Sequence, residues 1–211
     1  AARVINVYGP TEATDLCLVE RVLAGDAGAP LLGRPIGNMC AHVMAARSLT
    51  PLPVGVPGEL VVQGVGVARG YWRRDELTRE RFLEPTASVH WRASDGRAYR
   101  TGDLVRRHAD GRLEYMGRID RQVKLRGYRI ELDEVEAQLC AFVSDDGARR
   151  VERAAAVVTR LTGASDDVLV AYYVGGAEEA ELLARCARTM PKYMVPAVLM
   201  RIDAIPLTST D

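Results

Sequence analysis

Hydrophobic and polar positions change rhythm near residue 120. Before it, short apolar stretches are repeatedly cut by Gly and Pro; after it, strand-like and helix-like segments alternate. Val4, Ile5 and Val7 are β-formers, so residues 3–8 predict a short strand that Gly9-Pro10 ends. Residues 40–63 alternate like strands around the turn-rich "PLPVGVPGE", and "GELVVQG" (Gly58–Gly64) predicts a strand leading into "GVARGYW". "DELTRERF" (Asp75–Phe82) predicts a short helix, and residues 83–97 a polar surface loop. "LVRRHADGRLEYMG" (Leu104–Gly117) predicts a hairpin around Asp110-Gly111, a two-residue turn signal. "RQVKLRGYRI" (Arg121–Ile130) predicts a second, smaller hairpin.

Beyond that hairpin, Asp133 is the expected N-cap of a helix whose apolar positions Val135, Leu139, Phe142 and Val143 recur at helical spacing. "RAAAVVTRL" and "DVLVAYYVG" predict two buried strands, "EEAELLARCARTM" a helix closed by Pro191, and "AVLMRID" a last strand. Residues 121–211 thus form a hairpin, α, β, β, α, β series, enough for a small α/β domain of about 90 residues. Residues 1–119 are strands and turns with too few helices to cover them, as expected of part of a larger domain.

Composition narrows the class without choosing a function. The chain has 211 residues, 48% apolar and 27% charged, an ordinary globular balance. Its 28 basic and 28 acidic residues cancel, which removes any electrostatic case for nucleic acid or a membrane surface. The lysines are Lys124 and Lys192; the other basic residues are Arg. Cys17, Cys40, Cys140 and Cys186 lack metal-site spacing, so reduced thiols in a cytoplasmic protein are expected. His42, His90 and His108 share no motif and are expected to be structural or surface residues. The sequence contains neither an apolar run of about 18 residues nor a signal-peptide pattern.

Three strings carry candidate chemistry. "NVYGPTE" (Asn6–Glu12) places Thr11 and Glu12 on a turn at a strand's C-terminal end, the edge where α/β proteins bind ligands. The hydroxyl suits a phosphate oxygen, and the carboxylate suits Mg²⁺, a hard cation that takes oxygen ligands. In "AYRTGDLVRR" (Ala98–Arg107), a turn at Thr101-Gly102-Asp103 presents a carboxylate able to accept both hydroxyls of a ribose. In "YMGRIDRQVKLRGYRIELDEVE" (Tyr115–Glu136), Arg118 offers a forked cation for phosphate or ribose oxygens, and Asp120 lies where the rhythm changes. Each string alone is equally consistent with an ordinary solvated turn.

Together with "GELVVQGVGVARGYW", "PKYMVP" (Pro191–Pro196) and "IPLTST" (Ile205–Thr210), these strings stand in an order that resembles the adenylate-forming superfamily over essentially the whole chain. Within it, they resemble the amino-acid-activating adenylation domains of non-ribosomal peptide synthetases. Acyl-CoA ligases and luciferases share the YGxTE and TGD elements, whereas Asp120 and "RGYRIEL" lean towards the peptide-synthetase branch. The implied fold is α/β (mixed α+β): residues 1–119 as the C-terminal part of the large domain, residues 120–211 as the small mobile domain. The resemblance implies ATP and Mg²⁺ as cofactors. It implies that Asn6 bonds the adenine and Tyr8 stacks on it, Thr11 touches phosphate, Glu12 helps hold the metal, and Asp103 grips the ribose. Tyr115 would lie beside the nucleotide, Arg118 would contact its ribose or phosphate, and Asp120 would be the hinge. Lys124 and Gly127 would face the carrier arm during thioester formation. Val7, Asp15 and Leu16 would line part of the amino-acid pocket, and an acidic Asp15 there favours a polar or basic substrate.

Departures from the family pattern set further expectations. The phosphate loop and the Asp that holds the substrate amine belong upstream of residue 1, so the chain is expected to be a C-terminal portion, inactive without its N-terminal portion. The family's Gly-Lys would follow "IPLTSTD", and neither Lys124 nor Lys192 can replace that lysine, since each sits in another motif. Asp133 stands where Gly is usual, with little effect expected at a helix start. Neither a phosphopantetheine-serine motif nor a methyltransferase-type insertion is present. Implied partners are the amino acid, a phosphopantetheinyl carrier-protein domain, the N-terminal portion of the same domain and an MbtH-like helper protein. Two rivals remain at this point: another acyl or aryl adenylate-forming ligase, and a non-catalytic fragment serving as a docking surface.

Overall fold

Alternation fails first in the strand that becomes the middle of a sheet. Gly58–Gly64 carries three consecutive apolar residues, Leu60–Val62, and in the computed structural model the strand is buried along its whole length, Glu59 and Gln63 included. The structure describes residues 3–25, 28–84, 96–143, 147–148, 150–162 and 165–206. These divide into two compact units, Ala1–Asp120 and Arg121–Asp211.

In the first unit, β1 (Val4–Tyr8) pairs antiparallel with β2 (Leu18–Val22), which pairs with β3 (Arg34–Pro35). A second sheet holds β4 (Met39–Met44), β5 (Gly58–Gly64), β6 (Phe82–Leu83), β7 (Ala98–Arg107) and β8 (Leu113–Arg118). Its order is β4-β5-β7-β6, with β8 on β7, and every pairing is antiparallel. Both faces of β5 are covered: Leu60 and Val62 pack with Tyr99, Val105 and Leu113, while Val61 packs with Met44 and Ala98. That is why its sequence does not alternate. Helix α1 (Asp75–Arg81) forms as expected, with Asp75 and Glu76 in its first turn and Arg79 and Arg81 in its last, charges that suit the helix dipole. Two boundaries are corrected: Phe82 leaves the helix, and Leu83 leaves the expected loop, because both pair with β7 as β6. Residues 85–95 of that loop, His90 among them, lie outside the described residues.

The β7–β8 hairpin also differs from expectation. Arg107 pairs with Leu113, and the His108 amide donates to the Arg112 carbonyl at 2.9 Å, leaving Ala109–Gly111 as a three-residue loop. Gly111 takes φ +88°, the left-handed residue such loops need. Asp110 accepts from the Arg112 amide at 2.9 Å and from its Nε at 2.7 Å, so the Asp acts as a side-chain brace rather than as half of a two-residue turn.

In the second unit, β9 (Gln122–Leu125) and β10 (Tyr128–Glu131) are joined by Arg126-Gly127. Both turn residues have positive φ, +51° and +82°, as a type I′ turn requires. Helix α2 (Leu132–Cys140) buries Leu132, Val135 and Leu139. Asp133 is not its N-cap; Glu131 holds that position, and Asp133 sits in the first turn, 2.9 Å from Arg121. Phe142 is buried beyond the helix end, whereas Val143 is exposed. β11 (Val151–Arg160) pairs antiparallel with β12 (Asp167–Gly175), and β13 (Val198–Arg201) pairs with β12 in parallel after α3 (Glu179–Thr189). β12 is central and buries Leu169, Val170, Ala171 and Tyr173. β11 lies at the edge and buries only Val151 and Ala156, which corrects the expectation of a buried strand. Glu136 fastens α2 to that edge: it accepts the Ala156 amide at 2.6 Å and pairs with Arg121 at 2.6 Å.

Among the described residues no helix is long and apolar enough to cross a membrane. The four cysteines are free thiols, Cys17 and Cys186 buried. His42 lies against Gln63 and His108 against Glu114.

Candidate functional site

The first unit brings residues of all three strings together through a carboxylate. Between β1 and β2 the chain runs through a 3-10 turn at Thr11–Ala13, then through Thr14 and Asp15 with φ of +58° and +69°. Two successive non-Gly residues in the left-handed region are uncommon, and such strain gathers at functional sites. Gly9 permits the loop to close, because a Cβ there would run into the Asp15 carbonyl. The loop leaves Thr11 exposed, buries Glu12, and returns to β2 with the Cys17 amide donating to the Tyr8 carbonyl at 2.9 Å.

Asp103 does not sit on a turn, as the sequence suggested, but in a bulge within β7. Glu59 pairs with Leu104 and Val61 with Arg100, so Thr101, Gly102 and Asp103 face the single residue Leu60. Bulges re-aim side chains beside sites. This one is braced: Thr101 Oγ1 donates to the Leu60 carbonyl at 2.8 Å, and the Asp103 amide donates to Thr101 Oγ1 at 3.0 Å. Gly102 supplies the φ of +73°. Asp103 is only 6% exposed. Its Oδ2 accepts the Tyr8 hydroxyl, and its Oδ1 accepts Arg118 Nη1 at 2.7 Å. Burial, reinforced by the Asp103 charge, pushes the Tyr8 hydroxyl well above its ordinary range and keeps it a proton donor. Burial and the same charge raise Tyr115, a half-exposed residue within β8.

Arg118 links Asp103 to Asp120. Its Nε and Nη2 grip the two Asp120 oxygens at 2.6 and 2.7 Å, and Nη2 also reaches the Thr101 carbonyl at 3.1 Å. Such bidentate pairing is the strong form of ion pair. The pair lies so close to the bulge that a Cβ on Gly102 would fall 2.6 Å from Asp120 Oδ2 and 2.7 Å from Arg118 Nη2. Thus the TGD and GRxD strings are one structure.

Glu12 has a separate partner. The Tyr71 hydroxyl donates to Glu12 Oε1 at 2.6 Å and lies 3.3 Å from the Tyr99 hydroxyl. Among the described residues, no three His, Cys, Asp or Glu side chains gather as a metal cage. A single buried carboxylate beside Thr11 fits Mg²⁺, which is usually held by one or two carboxylates with substrate phosphates and water.

Other predicted residues are placed apart. Asn6 donates to the Leu31 carbonyl at 2.7 Å. Val7, Asp15 and Leu16 are all exposed, so within this chain no burial cost selects a polar substrate. Lys124 and Gly127 belong to the second unit, where Lys124 is exposed on β9 and Gly127 completes its turn. Beside that turn, Arg126, Tyr128, Lys192 and Tyr193 border a cavity of about 300 Å³, with the two tyrosine rings stacked 4.4 Å apart. Sequence reasoning missed Tyr71 as a partner of Glu12. "ARGYW" marked the spot, but 59 residues separate the two, and no local period links them.

Comparison with known proteins defines the class. Residues 1–72 match the family described as AMP-binding enzyme. A linear gramicidin synthase from Brevibacillus parabrevis is 46% identical over 209 residues, covering 97% of this chain. The chain spans only 2% of that synthase's length. PA1221, a solved non-ribosomal peptide synthetase protein containing adenylation and PCP domains, matches with TM-score 0.75 and 28% identity over 97% of this chain and 39% of its own. The Vibrio cholerae adenylation domain AlmE, solved with glycyl-adenosine-5'-phosphate, matches with TM-score 0.79 and 27% identity over 97% of this chain and 38% of its own. The chain is part of an adenylation domain of the AMP-binding enzyme family, of the kind found in non-ribosomal peptide synthetases.

Proposed function

We propose that this chain forms the ribose-, adenine- and metal-side part of an ATP-dependent adenylation domain that activates an amino acid and loads it onto a carrier thiol. In the first half-reaction a substrate carboxylate oxygen attacks the α-phosphorus of ATP; the aminoacyl-AMP forms and pyrophosphate leaves. In the second, a carrier thiol displaces AMP and a thioester forms. Catalysis of this kind rests on positioning and on stabilising phosphate charge.

The observation that carries the reading is Asp103, a buried carboxylate held in a braced bulge with Tyr8 and Arg118 on its two oxygens. A carboxylate has about four lone-pair sites, so two ribose hydroxyls can join or replace those donors. Asn6 and Tyr8 would position the adenine, with Tyr115 beside the nucleotide. Thr11 would donate to phosphate, and Arg118 would bind ribose or phosphate oxygens on leaving one of its carboxylates. Glu12 would hold Mg²⁺, which neutralises phosphate charge when bound. Val7, Asp15 and Leu16 would form one side of the amino-acid pocket. Asp120 would be the hinge between residues 1–119 and 120–211, and Lys124 and Gly127 would face the carrier arm. AlmE, solved with glycyl-adenosine-5'-phosphate, and PA1221, with its PCP domain, support an amino-acid substrate and a carrier-domain acceptor. The remaining partners are the N-terminal portion of the domain and an MbtH-like helper, in the cytoplasm.

The test is ATP–pyrophosphate exchange by the complete adenylation domain carrying this chain, against panels of amino, aryl and acyl acids. Amino-acid-dependent exchange is expected; a preference for aryl or acyl acids assigns the site to other adenylate-forming ligases. Asp103→Ala removes hydrogen bonds to a charged group worth about 1.5–3 kcal/mol each, so ATP use should fall roughly ten- to a hundredfold. Unchanged KM and rate would reject Asp103 as a ribose ligand. Residues 1–211 alone are expected to show no exchange.

A further inference from the structure

We infer that Tyr71 is a positioning residue for Glu12: its hydroxyl sets the direction of the carboxylate that faces the metal. This rests on the reading of Glu12 as the metal-side group. Tyr71 donates to Glu12 Oε1 at 2.6 Å, and the Tyr99 hydroxyl stands 3.3 Å behind it. With Tyr71 donating forwards, Tyr99 donates to Tyr71, giving a relay of two phenols that ends on the carboxylate.

Every approach to this relay is fixed by the fold. Tyr99 is 1% exposed, within β7. The Tyr71 ring meets Phe82 edge-on at 5.2 Å, and Phe82 lies 5.0 Å from Tyr99. The Tyr71 amide donates to Thr78 Oγ1 at 2.9 Å, which pins the backbone to α1. Gly70 permits that approach, since a Cβ there would strike Thr78. The Glu12 backbone is held as well, its carbonyl accepting the Ala68 amide at 2.8 Å.

Among the described residues no cluster of three His, Cys, Asp or Glu side chains surrounds Glu12, so the direction in which its own carboxylate is held matters for binding a metal. Mg²⁺ demands near-ideal octahedral geometry, so a carboxylate free to rotate would bind it less well. A hydroxyl donating to one oxygen supplies that orientation, as partners of metal-ligating side chains commonly do.

The test uses Mn²⁺ as the probe, titrated by electron paramagnetic resonance into the complete adenylation domain with a non-hydrolysable ATP analogue. Tyr71→Phe keeps the ring packing and removes the donor. It should weaken Mn²⁺ binding about three- to tenfold, the equivalent of one hydrogen bond. Glu12→Gln should weaken it more, and the double variant should stay within about twofold of Glu12→Gln, because the two act through one group. Tyr99→Phe should give a smaller shift in the same direction and decides the matter if Tyr71→Phe does not fold. Wild-type Mn²⁺ affinity in Tyr71→Phe, with Glu12→Gln impaired, overturns the inference and leaves Glu12 in place. Losses that multiply in the double variant also overturn it. If Glu12→Gln binds Mn²⁺ normally, both ideas fall.

Discussion

At the scale of single residues, burial around Asp103 controls more than the site. Cys17 is fully buried one hydrogen bond from Tyr8, and burial first, then the Asp103 charge, pushes its thiol from the usual 9.0 to about 12. A folded-state pKa raised above the unfolded value gives stability that is complete below pH 9 and is lost as pH climbs from 9 towards 12. Wild type should therefore lose its advantage over Cys17→Ala across that window in urea unfolding; a difference that does not change with pH would contradict it. Cys17 should also resist iodoacetamide at about pH 8.5 in the folded chain. The sequence displayed Cys17 only as a thiol without metal spacing; the environment that sets its chemistry comes from Tyr8 and from Asp103, far along the chain.

Among elements, the β7 bulge matters most. It turns a strand into a platform by placing Thr101, Gly102 and Asp103 opposite one residue of β5. Gly102→Ala tests this directly. The methyl would meet Asp120 Oδ2 at 2.6 Å and Arg118 Nη2 at 2.7 Å, and the backbone there has φ +73°. Stability should fall by about 1–3 kcal/mol, and ATP use should fall with it as the Arg118 clamp moves. A variant with wild-type melting temperature and ATP KM would mean that the bulge does not hold the site. "TGD" was legible as a place where a carboxylate is presented. A bulge rather than a turn could not be read from it, because a bulge is a mismatch between two strands, and β5 lies tens of residues away.

For the whole molecule, the change of rhythm near residue 120 coincides with the division into Ala1–Asp120 and Arg121–Asp211. Each unit has its own core, one around Leu60, Tyr99 and Leu113, the other around Leu139, Tyr173, Leu182 and Leu199. If Asp120 is the hinge, Asp120→Pro in the complete domain should impair thioester formation more than adenylation, since Pro fixes φ and the swing serves the second step. Pro also removes the carboxylate that Arg118 grips, so Asp120→Ala is the control. Equal losses in both half-reactions for Pro, or a Pro variant no worse than Ala, would exclude a hinge there.

What the sequence by itself determined was local and periodic. It showed the Gly-Pro break after β1, the small hairpin within Arg121–Ile130, the hairpin, α, β, β, α, β order of the second unit, and the strings that mark the family. These depend on residues within a few positions of one another, where propensity and turn chemistry act. Tertiary structure decided which carboxylate has which partner. It placed Tyr8 and Arg118 on Asp103, Arg118 on Asp120, and Tyr71 on Glu12. It also exposed β11 by leaving it at an edge while burying both faces of β5. Tyr8 and Asp103 lie 95 residues apart and Tyr71 and Glu12 59, and such side chains meet because the fold brings their strands and loops together, which no short window of sequence records.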